Sequence, residues 1–425
     1  MKLYKFTLFL FSIMPLVDTL NGYGISNKMP IIQESGVLYR IFIIVFCIYY
    51  ILKLNPKKYL ILSSMIFFVS LSCIHYFQHQ NVNGLMFDLT KSIKLILVVI
   101  IPIFFMSLIK YQNKYKTLVK EIFSCLILIF PITLIIPYFW GIGNSIYANG
   151  AGYKGFYYSN NDLSIVLLVI VIFALGNLIN NVSSKNCILL LLNVFCLLLM
   201  ATKTSIIGLF IVFILYINDI LKLIIKDKKI LLYILLFSLG MFLLKESIIS
   251  ELLLTMERNR YLTQTGMDDI TFLLGGRNKF FIERINQTSL LSFLFGRGEY
   301  YISIINRKSL IEMDLIDTYY IYGIFITSFV YFGFIQKFIK YLVFSQCNRI
   351  EKKTFIIAFI IMTMFSLLAG HVLYSALSGT VYALILSQFS LNRDKKLYIK
   401  DEYHENINNC SVLPTLSKCS NTKNK

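Results

Sequence analysis

The chain has 425 residues, of which 57% are hydrophobic and only 15% charged, and its mean hydropathy is +0.70. Soluble globular domains carry about 25% charged residues, so a soluble fold is excluded and an all-α polytopic membrane protein is expected. The formal charge of +19 does not point to nucleic acid, because the basic residues are dispersed between apolar segments and form no patch or stripe.

A bilayer core takes about 20 predominantly apolar residues per helix, within a range of about 17–25. Twelve such segments follow one another, over residues 6–20, 37–52, 59–77, 89–109, 122–140, 163–179, 187–201, 204–220, 230–244, 318–338, 354–370 and 372–391. No small-residue cleavage site follows the first, so it is read as a retained helix and not a signal peptide. Two pairs are nearly continuous. Thr202 and Lys203 alone separate 187–201 from 204–220, and the last two segments meet at His371. The positive-inside rule decides between two spans and one broken element in each case. With the N-terminus inside, the inner segments carry nineteen basic residues, from Lys2 and Lys5 to Lys352 and Lys353. The short outer loops carry six, namely Lys28, Arg40, Lys91, Lys94, Lys154 and Lys203. Merging either pair would put the next basic segment on the wrong side, so about twelve spans with both termini inside are expected.

This topology places a bundle over residues 1–392, a cytoplasmic tail over 393–425 whose polar composition implies disorder, and a long extracytoplasmic loop over 245–317 between the ninth and tenth spans. Long loops translocate regardless of charge, and this one holds Arg258, Arg260, Arg277, Lys279, Arg284, Arg297, Arg307 and Lys308 beside Glu299, Glu312 and Asp314. Segments 21–35 and 141–161 read as polar outer loops with turns. Tyr147, Tyr153, Tyr157 and Tyr158 suit an interfacial aromatic belt ahead of stacking on sugar rings.

None of the eight cysteines lies in the long loop, which leaves it no disulfide framework and no cysteine metal ligand. His75 and His79 have the i, i+4 spacing of a metal pair but no third ligand nearby, so no metal is assigned and no cofactor is expected. Arg277 follows Gly275-Gly276, and Arg297 sits between Gly296 and Gly298. Glycine permits close backbone approach, and an arginine so flanked presents its fork to an anion, with the bidentate geometry that suits phosphate; a solvated arginine on lipid headgroups is the competing interpretation. Glu312 and Asp314, at i and i+2, do not form a facing acid and base pair. One such carboxylate at a low-dielectric boundary suits taking a proton from a hydroxyl, although a dipole-favoured helix start or a bridge to a loop arginine explains each as well. Asp317 reads as a helix N-cap. His371 is placed at the outer end of the eleventh span, either on a substrate or in a structural hydrogen bond.

Several of these segments resemble the O-antigen polymerase and ligase superfamily of bacterial membrane glycosyltransferases. Thr202-Lys203-Thr204-Ser205-Ile206-Ile207-Gly208 is similar to that family's Ser-Arg-Thr-small-x-x-Gly segment, with Lys203 in the arginine's place. Gly276-Arg277 and Leu294-Phe295-Gly296-Arg297-Gly298 resemble its loop pattern, and Glu312-x-Asp314 with Gly323 nine residues on resembles the Glu-x-Asp and distal glycine of the Wzy-type polymerases. Asn160 and Asn161 are similar to a recurrent polar pair that opens the sixth span. Ligases usually carry a histidine where Glu312 stands, which favours a polymerase. The resemblance covers about residues 150–387.

What it implies is an enzyme in the bacterial inner membrane that joins undecaprenyl-pyrophosphate-linked repeat units into polysaccharide on the outer face. Arg277, Arg297 and Lys203 would stabilise the pyrophosphate, Glu312 or Asp314 would act on the acceptor, and His371, Asn160 and Asn161 would contact substrate. Expected partners are the lipid-linked glycan, the bilayer and a chain-length regulator. A ligase of the same fold and, from another class, a lipid-linked glycan flippase are the rival readings. One-sided clustering of ionisable residues argues against transport, which places several near the midplane; Asp18 and Lys94 are the nearest such candidates.

Overall fold

The computed structural model describes residues 2–54, 82–146, 152–227, 290–306, 311–345, 347–368 and 372–390, with His75, Gly150, Ile230, Tyr233, Leu235, Arg277 and Gly370. Backbone groups removed from water must satisfy one another within a segment, and each long apolar stretch among these residues is accordingly α-helical. The helices are α1 (Lys2–Ser12), α2 (Met14–Ser26), α3 (Pro30–Gln33), α4 (Ser35–Leu54), α5 (Val82–Tyr111), α6 (Leu118–Phe139, entered through a 3-10 turn at Asn113–Thr117) and α7 (Asn160–Asn180). They continue with α8 (Ser184–Leu199), α9 (Lys203–Lys226), α10 (Leu290–Phe295), α11 (Glu299–Asn306), α12 (Asp314–Phe344), α13 (Arg349–Leu368) and α14 (Ala376–Ser390). The described residues contain no strand beyond an isolated bridge between Ser145 and Tyr153.

Seven helical runs among the described residues are long and apolar enough to cross a membrane: α1 with α2, α4, α5, α6 with its 3-10 lead, α7, α9 and α12. Helices α8 and α14 are apolar but shorter. The fold is therefore all-helical and of the polytopic membrane type. Predicted spans 59–77 and 230–244 fall almost wholly outside the described residues, as do the tail 393–425 and His371. The other ten predicted spans fall on helices, the first divided between α1 and α2, and seven of the ten meet the length and hydropathy of a membrane span. Both doubtful pairs are separate helices, α8 from α9 across residues 200–202 and α13 from α14 across Gly370.

Three boundaries differ from the sequence reading. Segment 21–35, read as a polar loop, is largely helical, because α2 continues to Ser26 and α3 follows at Pro30, a residue preorganised for the first helical turn. Helix α5 begins at Val82, seven residues before the predicted start, and so takes Asp88 into the bundle. Helix α12 begins at Asp314, with Met313 as its N-cap. Asp317 is thus not a cap but lies inside the first turns.

A helix apolar on every side belongs in the interior. Helix α7 behaves so, buried without interruption from Asp162 to Gly176, and α14 is buried from Leu377 to Phe389. Around them, α9 turns Ile207, Phe210, Ile214 and Ile217 outward, and α12 does the same with Phe325, Phe329 and Phe332. These apolar faces suit a lipid environment.

Side-chain contacts fix which helix ends share a pole. The N-termini of α7 and α9 meet where the Ser164 and Thr202 hydroxyls lie 2.9 Å apart. The N-terminus of α12 meets the last turn of α13 and the approach to α14, since the Asp314 carboxylate accepts from Ser366 Oγ at 2.7 Å and from the Leu373 amide at 2.9 Å. At the opposite pole, Gly176 of α7 abuts Thr354 of α13, Tyr216 of α9 donates to Thr354 at 3.1 Å, and Lys353 pairs with Asp219 at 2.5 Å. Helix α13 therefore runs antiparallel to α7 and α9, and the N-termini of α7, α9, α12 and α14 share one end of the bundle.

Near that end Asp18 of α2 pairs with Arg40 of α4 at 2.6 Å, both largely buried. Removing one partner of a buried pair strands the other charge, at a cost of about 3–5 kcal/mol, whereas replacing both by apolar residues is often neutral. Asp18→Leu alone should lower the melting temperature in detergent, and Asp18→Leu with Arg40→Met should recover most of the loss.

Candidate functional site

The N-terminal third of α12 organises the site. Its stretch of helix ends at Gly323, whose φ of 77° and ψ of 179° break the hydrogen-bond ladder. A break of this kind leaves upstream carbonyls without their partners four residues on. Two of them are taken by the Gly-Arg-Gly turn between α10 and α11: the Arg297 amide donates to the Tyr320 carbonyl at 2.9 Å and the Gly298 amide to that of Ile321 at 3.2 Å. The fit requires three glycines. Gly296 at φ 80° lies against the Ile321 carbonyl, Gly323 against the Leu294 carbonyl, and Gly298 at φ 75° against the carboxylate of Asp88. Gly323 and the Gly296-Arg297-Gly298 turn, separate features in the sequence, are the two halves of one joint. Arg297 is left half-buried on it, beside Tyr319.

Before α12 the chain makes a second constrained turn. Glu312 has φ 72°, which a non-glycine residue adopts only where its surroundings impose it. Asp317 imposes it here. Its buried carboxylate turns back to accept from the amides of Ile311 at 2.7 Å, Glu312 at 2.9 Å and Met313 at 3.1 Å. On the other side Gly370 presses on the Glu312 backbone so closely that a Cβ there would overlap the carbonyl. The Glu312 side chain meets Arg277, with Nη2 donating to Oε2 at 2.6 Å. The Arg277 side chain remains 14% and the Glu312 side chain 23% exposed, so solvent reaches the pair.

Asp314 points the other way. Fully buried, it ties α12 to Ser366 and Leu373, and Thr318 below it accepts from the Tyr374 hydroxyl at 3.0 Å. The two carboxylates of Glu312-Met313-Asp314 thus divide between an accessible ion pair and a structural clamp. His371, between Gly370 and Val372, lies outside the described residues.

Lys203 and the asparagine pair share the pole of α12, at the N-termini of α9 and α7 that the Ser164–Thr202 contact brings together. Lys203 opens α9 after a Thr202 cap whose hydroxyl accepts from the Ser205 amide at 3.1 Å, while Ser205 Oγ accepts from the Thr202 amide. Gly208 lies against Leu168 of α7. The threonine, serine and glycine of that segment therefore build the α7–α9 contact, and Lys203 stands half-buried at its mouth. Asn160 and Asn161 open α7 one turn above Ser164, and Asn160 Nδ2 donates to the Ile146 carbonyl at 3.3 Å.

The connecting segment before α7 is structured by its tyrosines. Burial pushes the Tyr153 phenol up to about 12, with a further rise from Tyr138, so it stays protonated and donates to the Ile142 carbonyl at 2.6 Å. Tyr157 is buried, its phenol raised by desolvation, and its hydroxyl lies 2.8 Å from that of Thr133. Burial lowers the Lys154 ammonium, which donates to the Tyr158 carbonyl. Tyr158 stays exposed; Tyr147 lies outside the described residues.

Sequence reasoning missed the support beneath Gly298. His75 Nε2 lies 3.1 Å from the Phe295 carbonyl and Nδ1 3.5 Å from Asp88, whose other oxygen accepts from the Tyr300 amide at 2.9 Å. Glu299 is buried beside them. The signal available was Asp88 within a helical apolar run. Among the described residues no three metal-ligating side chains gather. Searches with family models, against curated proteins and against solved structures find no match to this chain.

Gly323→Ala should break the joint, costing about 1–3 kcal/mol for the enforced backbone conformation alone and more for the overlap with Leu294. Gly333→Ala, ten residues on in open space within the same helix, should stabilise by about 0.4–1 kcal/mol. Thermal unfolding of the two variants in detergent separates them.

Proposed function

We propose that the chain is a glycosyltransferase of the bacterial cell membrane that polymerises lipid-linked oligosaccharide repeat units on the outer face. In this reading the bundle has about twelve spans with both termini inside, and the pole bearing Arg277, Arg297, Lys203 and Glu312 faces out. The observation that carries the reading is the accessible Arg277–Glu312 pair at the head of α12, with Arg297 docked roughly two helical turns further along the same helix. Two arginines supply the bidentate donors that a pyrophosphate needs, and a carboxylate held on a rigid turn supplies a proton acceptor.

The chemistry balances without an outside reactant. The acceptor hydroxyl of one repeat unit attacks the anomeric carbon of another, and the bond from that carbon to the pyrophosphate oxygen breaks. Its electron pair leaves with the undecaprenyl pyrophosphate, and the hydroxyl proton passes to Glu312. Arg277, Arg297 and Lys203 stabilise the developing negative charge. Asn160, Asn161 and His371 contact the substrate. Asp314, clamped on Ser366 and Leu373, positions α12 rather than meeting substrate.

The ligase reading differs in the acceptor alone. The flippase reading gains nothing from a carboxylate poised against an arginine at one pole, and the buried charge Asp18 is already neutralised by Arg40. Arg277→Ala and Arg297→Ala should each cut long-chain polymer by about 10²–10³-fold in cells lacking the native protein, with membrane levels unchanged. Normal polymer lengths in both variants would overturn the assignment.

A further inference from the structure

The Arg277–Glu312 contact poses a conflict for the two roles just assigned. Arg277 is to hold the leaving pyrophosphate and Glu312 is to accept a proton, yet the two side chains hold each other at 2.6 Å. A carboxylate engaged by a guanidinium has its charge stabilised and its oxygen occupied, which makes it a poor proton acceptor. The guanidinium, in turn, offers fewer donors to an anion while the carboxylate occupies it.

Resting on that reading, we propose that the pair is a latch opened by exchange: the pyrophosphate of the lipid-linked donor displaces Glu312 from Arg277, and only then is the carboxylate available to the acceptor. Three observations support it. Both side chains keep part of their surface in solvent, 14% for Arg277 and 23% for Glu312, so an incoming anion reaches the pair. The Glu312 backbone is pinned by three hydrogen bonds to Asp317 and by the Gly370 contact. Release therefore needs rotation of one side chain and no refolding of the turn. Finally, a pyrophosphate carries more charge than a carboxylate and matches the guanidinium fork as well, so the exchange runs toward the donor.

The arrangement imposes an order. With no donor bound the carboxylate is held by Arg277 through Oε2, so water and acceptor hydroxyls meet a base whose charge is already stabilised. With a donor bound, the leaving group is gripped and the base is freed in one step. Asp317 and Gly370 act as positioning residues that confine the movement to the side chain.

The test measures binding of inorganic pyrophosphate and of undecaprenyl pyrophosphate to the full-length protein in detergent, beside polymer formation. The variants are Glu312→Gln, which keeps the shape of the side chain, and Glu312→Asn, since asparagine tolerates the left-handed backbone there. Both should bind pyrophosphate about tenfold more tightly than the wild type, equivalent to about 1.4 kcal/mol, while polymer formation is lost. Adding Arg277→Ala should abolish the gain. Binding unchanged or weakened in both variants, with polymer formation lost, would overturn the exchange and leave Glu312 as the base. Normal polymer formation in both would overturn the base assignment and the exchange with it.

Discussion

The buried carboxylate of Asp317 is the constraint on which the site depends. Helices expose unsatisfied amides at their N-termini, and short polar side chains before the helix usually accept from them. Here the acceptor lies inside the helix and reaches back over three consecutive amides, those of Ile311, Glu312 and Met313. Hydrogen bonds to a charged group contribute about 1.5–3 kcal/mol each, enough to hold Glu312 in a left-handed conformation that costs about 1–3 kcal/mol. The strain at Glu312 is thus compensated locally, and it aims the side chain at Arg277 while the next carboxylate, Asp314, is driven into the bundle.

The break at Gly323 has a complementary effect. It gives the loop side of the protein a fixed dock on the bundle, because carbonyls that an unbroken helix would consume are offered to the Gly296-Arg297-Gly298 turn. Asp88 and His75 close over the far side of that turn. Arg297 therefore stands on two helices although it belongs to a connecting segment, and Arg277 is tied to the same helix by its ion pair with Glu312.

Much of the fold was legible in the sequence because hydrophobic length reports helices directly: α4, α6, α7 and α9 fall where the apolar segments lie. Boundaries were less legible for a physical reason. Polar residues at the ends of α5 and α12 continue the helix because Asp88, Asp314 and Asp317 find buried partners, and hydropathy carries no record of partners. The residues of the site were named from their chemistry and from a resemblance, but their division of labour was not visible. Nothing in Glu312-Met313-Asp314 says that one carboxylate faces an arginine and the other a serine 52 residues away in sequence. Likewise Gly370 and Glu312 become neighbours only through the fold. The glycines at 296, 298 and 323 were recognisable as special, and the joint they form explains why all three are needed.

The most direct test of the account is reconstitution of the purified protein in proteoliposomes with undecaprenyl-pyrophosphate-linked repeat units. Product size, release of the free lipid pyrophosphate and movement of the units across the bilayer are scored together. Bond formation at the Arg277–Glu312 pole predicts a ladder of lengthening polymer, with one lipid pyrophosphate released for each unit joined. Units that cross the bilayer unjoined, with no pyrophosphate released, would contradict it.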